Sequence, residues 1–202
     1  MYNSDFDKKA SGWDQNPIHV ARSIAIASAL REFIPLNKDM KALEYGAGTG
    51  LLSFGLRDEF REIVLMDSSK EMIRICEEKS ASFGTKHIRP LLFDLEHDHY
   101  YDQFDIVYNQ MVFHHINDTE AVIRKFHELL CPGGYLVIAD LYPEDGSFHG
   151  QDVIVHKGFD PAALSVILST LGFMDSSYQQ CYVIRKESGR EYPVFILKSV
   201  KC

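Results

Sequence analysis

Ala42-Leu43-Glu44-Tyr45-Gly46-Ala47-Gly48-Thr49-Gly50-Leu51-Leu52-Ser53-Phe54 is the stretch that decides the fold. An apolar strand runs into three glycines at alternate positions and straight on into a helical pattern. Strand, glycine loop and helix in that order bring a nucleotide-like ligand against bare backbone. Each missing Cβ lets main-chain N–H groups approach the ligand and lets the turn adopt positive φ. The spacing here is E-x-G-x-G-x-G, whereas a pyrophosphate-binding dinucleotide loop usually reads G-x-G-x-x-G.

Outward from that loop, apolar runs alternate with helical patterns, the signature of βα units around a parallel sheet. The strands read as Ala42–Tyr45, Ile63–Met66, Ile88–Phe93, Phe104–Tyr108 and Tyr135–Ala139. Their brevity and their Val, Ile and Leu content fit strands covered on both faces. An N-terminal helix over Ile18–Phe33 is closed by Pro35. Ser68 with Glu71, and Asn117 with Glu120, have capping-box spacing, and Gly84 and Gly133–Gly134 read as helix stops. Only Asp94–Gln103 joins the third and fourth strands. Its ten residues reach roughly 34 Å when extended, enough to cross the sheet with at most one helical turn. Asp160–Leu171 is a helix with Asp160 as N-cap and Pro161 at its first position. Ser177–Arg185 and Tyr192–Val200 then flank Lys186–Glu191 as a hairpin. The expectation is a single mixed α/β domain: five parallel strands and a terminal antiparallel hairpin.

Three acidic or polar strand ends follow the loop. Asp67 closes the second strand at a distance from Gly50 close to that at which a carboxylate meets a ribose diol. The alternative is an acid that interacts with a helix N-terminus, and one residue can serve both purposes. Asp94, with Leu95 beside it, ends the third strand, where a carboxylate can accept from an exocyclic amine such as that of adenine. Asn109-Gln110-Met111 ends the fourth strand, at the switch between sheet halves where ligands usually sit.

In this order and spacing these four features resemble the class I S-adenosylmethionine-dependent methyltransferases, over about Phe6 to Val200. Leu129-Leu130-Cys131-Pro132-Gly133-Gly134-Tyr135-Leu136-Val137-Ile138 looks like that family's helix-to-fifth-strand segment. The resemblance implies a Rossmann-like seven-stranded mixed sheet of order 3-2-1-4-5-7-6, strand 7 antiparallel, with helices on both faces. It implies S-adenosylmethionine as cofactor. Gly46, Gly48 and Gly50 would border the methionine part, Asp67 the ribose and Asp94 the adenine, with Glu44, Ala47, Ser68, Leu95, Asn109 and Gln110 completing the cofactor-binding set. Residues 1–34, with Phe6-Asp7-Lys8-Lys9-Ala10 and Trp13-Asp14, look like the cap of small-molecule members. Residues 41–140 are the cofactor-binding core, 145–158 a substrate-side insertion, and 160–200 the terminal helix and hairpin.

Methyl transfer from a sulfonium is an in-line displacement that depends first on positioning. A hydroxyl or carbon acid also needs a base, for which histidine is the usual group at neutral pH. His114 and His115 follow the fourth strand and are the catalytic candidates, or alternatively shape the pocket wall. Trp13, His114, His149 and His156 are the substrate-side set, with the last two flanking Gln151–Val155. No H-x-x-x-H or carboxylate spacing supports a metal, so none is expected. His97 and His99 read as surface residues. Asn109-Gln110-Met111-Val112 is not an N-P-P-Y-type tetrapeptide, and Cys131-Pro132 reverses a nucleophilic Pro-Cys pair.

Composition bounds the rest. The 202 residues carry 21 basic and 29 acidic side chains, a net charge of −8 that disfavours nonspecific nucleic-acid binding. A chain of this length buries roughly 70% of its unfolded surface. Seven acids and no Lys or Arg fall between Phe93 and Ala121, a field compatible with a cationic sulfonium and equally with a solvated surface. Four well-separated cysteines argue against disulfides and zinc knuckles. No apolar run or leader suggests a membrane or export, so the expected compartment is the cytoplasm. The function expected is methylation of a small-molecule acceptor. A nicotinamide-dependent oxidoreductase is a second reading, disfavoured by the glycine spacing and by the lack of a Tyr-x-x-x-Lys. A noncatalytic S-adenosylmethionine-binding module is a third. Oligomeric state is not legible, although an exposed hairpin edge can pair with a second subunit.

Overall fold

The computed structural model describes residues 3–149 and 155–202. Its strands are β1 (Lys41–Tyr45), β2 (Glu62–Asp67), β3 (Ile88–Leu92), β4 (Phe104–Gln110), β5 (Leu130–Leu141), β6 (Phe173–Arg185) and β7 (Glu191–Lys201). They form one sheet in the order β3-β2-β1-β4-β5-β7-β6, as the resemblance implies. The first five strands run parallel, while β7 is antiparallel to both β5 and β6. The helices are α1 (Asn3–Lys9), α2 (Pro17–Phe33), α3 (Leu51–Gly55), α4 (Lys70–Phe83), α5 (Thr119–Leu129) and α6 (Pro161–Thr170).

Alternation along the strands divides the core into two layers. Ala42, Ile63, Leu65, Ile106, Tyr108, Val137 and Ala139 face Ile26, Leu30 and Leu52 of α2 and α3. Leu43, Val64, Met66, Val107, Leu136 and Ile138 face Val122, Phe126, Leu164 and Leu168 of α5 and α6. Central strands therefore lack a polar face, and every residue of the Ile63–Met66 run is buried.

Several local expectations shift. The α4 N-cap is Ser69, whose Oγ accepts from Met72 N, and not Ser68. Likewise Asp118, accepting from Ala121 N, caps α5 in place of Asn117. Each cap lies one residue later because an extended residue must precede the first helical turn, and Ser68 and Asn117 still belong to the incoming loops. Gly84 closes α4 at φ 64° as expected. Gly133 and Gly134 do not close α5, which ends at Leu129 with Leu130 already extended. They form an irregularity within β5, where the ladder jumps from Phe104↔Leu130 to Ile106↔Tyr135. A Cβ on Gly134 would lie 2.9 Å from the Cys131 carbonyl oxygen, so strand packing selects that glycine. Between β3 and β4 the chain makes hydrogen-bonded turns, with Asp98 N donating to Asp94 O. The hairpin strand β6 begins at Phe173, four residues before the expected Ser177.

α1 and a 3-10 turn at Ala10–Gln15 form the cap, which is tied to the core by two carboxylates. Asp7 accepts from Ser69 Oγ at 2.5 Å and from Glu71 N at 3.2 Å, at the start of α4. Asp14 accepts from Thr49 Oγ1 at 2.5 Å and pairs with Lys79. The cap is thereby held beside the segments that follow β1 and β2. No helix among the described residues is long and apolar enough to cross a membrane.

Candidate functional site

The carboxyl ends of the parallel strands and the overlying cap enclose a cavity of about 1110 Å³. At its centre lies the glycine loop. Gly46 turns at φ 66°, and a Cβ there would lie 2.4 Å from Val112 Cγ2, which excludes any larger residue. Gly48, at φ 55°, donates its N–H to Asp67 Oδ2 at 2.7 Å. Gly50 serves packing instead: a Cβ would strike the Phe54 ring at 2.9 Å, and the residue does not line the cavity.

Asp67 lies at the end of β2 with Oδ1 accepting from Ser69 N at 2.8 Å. Burial pushes its carboxyl up, and the backbone donors at Ser69, Gly48 and Ser68 oppose that. Gly46, Ala47, Gly48, Asp67, Ser68, Asp94 and Gln110 all line the cavity. Asp94 takes the N–H of Glu96 at 3.0 Å, and Gln110 accepts from Ser23 Oγ at 3.1 Å. Glu44, Leu95 and Asn109 lie beneath the wall. Leu95 is core, and Asn109 is buried with neither side-chain polar atom partnered among the described residues. Glu44 is fully buried and accepts from Ser53 Oγ, which also meets Tyr108 Oη at 2.6 Å. Burial pushes Glu44 up to about 8, so it is protonated at neutral pH.

On the opposite side imidazoles gather. His114, in a 3-10 turn at Phe113–His115, is fully buried. Its Nδ1 lies 2.6 Å from Asp140 Oδ1, and its N–H donates to Asp140 Oδ2 at 3.1 Å. Asp140, at the end of β5, also accepts from Leu141 N at 2.7 Å. Burial pushes Asp140 up, but His114 and these donors outweigh it and hold the carboxyl below its usual range. An ionised Asp140 makes His114 Nδ1 the donor. In the neutral Nδ1–H tautomer its Nε2 is the acceptor for His149 Nε2–H, 2.9 Å away. His115 packs its ring 4.2 Å from that of His114 and 4.9 Å from that of His149. Burial pulls His115 down to about 3 and His149 to about 4, so both are neutral at pH 7. Phe148 and Trp13 complete this wall. His156 donates its backbone N–H to His114 O, but its side chain is exposed outside the cavity. His97 is exposed at the rim, and Gly150–Ile154 lie outside the described residues.

One wall residue escapes the sequence reading, and a second shows a backbone that the sequence does not announce. Arg22 of α2 lines the cavity, is 6% exposed and has no partner for Nε among the described residues. Burial lowers its pKa to about 10, while Asp140 and Tyr182 act the other way. The signal was present, since Arg22 shares a helical stripe with Ile26 and Leu30, where a cation has no structural reason to be. Met111 follows β4 with φ 54°, a strained conformation for a side-chain-bearing residue and common beside functional sites. Local propensity does not announce it.

A methyltransferase-domain family model matches residues 36–186. The chain belongs to the class I S-adenosylmethionine-dependent methyltransferase family. An uncharacterized methyltransferase, C1347.09, of Schizosaccharomyces pombe is 31% identical over 142 residues, covering 62% of this chain and 50% of that protein. Phosphoethanolamine N-methyltransferase 1 of Arabidopsis thaliana is 29% identical over 155 residues, covering 72% of this chain and 31% of that protein. The chain thus spans half or less of the length of these two curated relatives. N-methyltransferase NodS of Bradyrhizobium japonicum, solved with S-adenosylhomocysteine, superposes with a TM-score of 0.70 at 17% identity, covering 93% of this chain and 89% of that one. The methyltransferase family accounts for the glycine spacing that a dinucleotide loop left unexplained.

Proposed function

We propose that the protein transfers the methyl group of S-adenosylmethionine to a small-molecule acceptor. The observation that carries this reading is the cavity: about 1110 Å³, larger than one ordinary ligand site, and roofed by a cap tied down at Asp7 and Asp14. The Arabidopsis relative's name, a phosphoethanolamine N-methyltransferase, supports an acceptor of modest size.

The wall residues suit the cofactor chemically. Gly46 and Gly48 offer bare backbone, Asp67 offers a carboxylate for the ribose hydroxyls, and Asp94 an acceptor for the adenine amine. Arg22 is a buried cation short of a partner, and the cofactor's methionine carboxylate supplies the missing anion. When bound, S-adenosylmethionine provides an activated methyl group on a sulfonium. The chain's task is then to hold the acceptor lone pair in line with that carbon and to exclude water. Trp13, His115, Phe148 and His149 form the acceptor wall in this reading. His114 acts behind them, because both its ring nitrogens are already engaged. Histidines held near 3 to 4 are weak bases, so they orient the acceptor better than they deprotonate it.

Calorimetry with S-adenosylmethionine and S-adenosylhomocysteine tests the first half; no binding of either at about 1 mM would remove the reading. Incubation with methyl-labelled cofactor and a metabolite extract tests the second. Label is expected in a low-molecular-mass product, and label only in protein or nucleic acid overturns the acceptor class. Cofactor binding with no transfer to any fraction would instead mark a noncatalytic module.

A further inference from the structure

We propose that His114, His115 and His149 bind a divalent transition-metal ion, with zinc as the reference ion, at the acceptor end of the cavity. Ligand atoms of the three imidazoles lie within 4.8 Å of one another. Around a tetrahedral ion with metal–nitrogen bonds of about 2.0–2.1 Å, two donors sit about 3.4 Å apart. The 2.9 Å between His114 Nε2 and His149 Nε2 already lies near that separation, and a modest swing of the half-buried rings closes the rest.

Two further features favour a ligand set over a hydrogen-bonded wall alone. Asp140 accepts from His114 Nδ1 and so presents the Nε2 lone pair outward, the arrangement in which a carboxylate orients a metal-bound imidazole. All three rings line the cavity, so three protein nitrogens leave a fourth position open to it, as in catalytic and not structural sites. That position takes water or a lone-pair donor of the acceptor. The motif arithmetic misses the site because two ligands are adjacent in sequence and the third lies 34 positions beyond His115. Binding through Nε2 leaves His149 neutral with its proton on Nδ1, the ring's other tautomer.

The test uses tag-free protein stripped with a chelator, its fold checked by circular dichroism. Zn²⁺ is titrated by calorimetry and Co²⁺ by visible absorption. One ion per chain is expected, with a Kd at or below about 10 µM and a cobalt spectrum of low coordination number. His115→Ala and His149→Ala, at the half-buried positions, are each expected to weaken binding by at least about 10-fold without changing the thermal melt. No binding at about 1 mM zinc, or an affinity unmoved in the double variant, overturns the site. The titration needs no cofactor, whereas S-adenosylhomocysteine binding to the stripped protein tests the methyltransferase reading. Failure of either proposal is therefore read separately.

Discussion

Around the glycine loop the cavity wall is backbone and single carboxylates, delivered by the ends of β1, β2 and β3 within one stretch of chain. Across from it the wall is a stack of imidazoles rooted on Asp140, assembled from a turn after β4, the end of β5 and the segment at His149. The first half is built of groups whose positions follow from strand ends, so it holds its shape through hydrogen bonds such as Gly48 N–H to Asp67. The second half depends on one hydrogen-bonded pair, His114 with Asp140, both fully buried. In the proposed reading, cofactor binding and acceptor choice fall to structurally different kinds of wall.

Breaking the imidazole root should have the largest effect. His114→Ala strands an ionised carboxylate in the core and is expected to lower unfolding free energy by about 3–5 kcal/mol, measured by urea denaturation. An unchanged midpoint would mean that the two halves do not differ in this way. Next, Gly46→Val places a branched side chain where Val112 already sits, at a φ that disfavours it. S-adenosylhomocysteine affinity should fall by about 100-fold or more in calorimetry.

A smaller effect separates the cofactor's tail from its nucleoside. Arg22→Met should weaken S-adenosylhomocysteine by about 10-fold while leaving decarboxylated S-adenosylmethionine unaffected, because only the former carries the carboxylate. Equal losses for both ligands would place Arg22 elsewhere in recognition. A pH-dependent expectation concerns the floor of the loop. Glu44, raised to about 8 in the fold against 4.5 ordinarily, keeps a proton that the unfolded chain has released. Stability should therefore fall as pH rises from about 4.5 towards 8 and level off above, with a slope under about 1.4 kcal/mol per pH unit. Comparing melts of the native chain and Glu44→Gln between those limits checks it, since the amide should flatten the slope.

Legibility in the sequence divides along the same line. Five parallel strands, the loop and its acids were readable because strand ends and βα turns place residues by local rules. The seven-strand order came from family resemblance, which the hydrogen-bonded ladder bears out. Local detail failed where one residue decides it: Ser69 and Asp118 cap their helices because the preceding residue is still loop, and spacing cannot see φ. Gly50 and Gly134 look like their neighbours in sequence, yet the space beside them belongs to Phe54 and to a carbonyl.

By itself the sequence determined a parallel α/β core with a glycine loop and acids at successive strand ends, because hydrophobic period and turn chemistry act over a few residues. Only the tertiary structure decided that Glu44 lies under the loop, that Arg22 looks into the cavity, and that three histidines converge before Asp140. Those facts depend on side chains from distant segments sharing one buried volume, where burial and pairing set charge and tautomer; of them only Arg22 leaves a local trace, a cation on an apolar helical stripe.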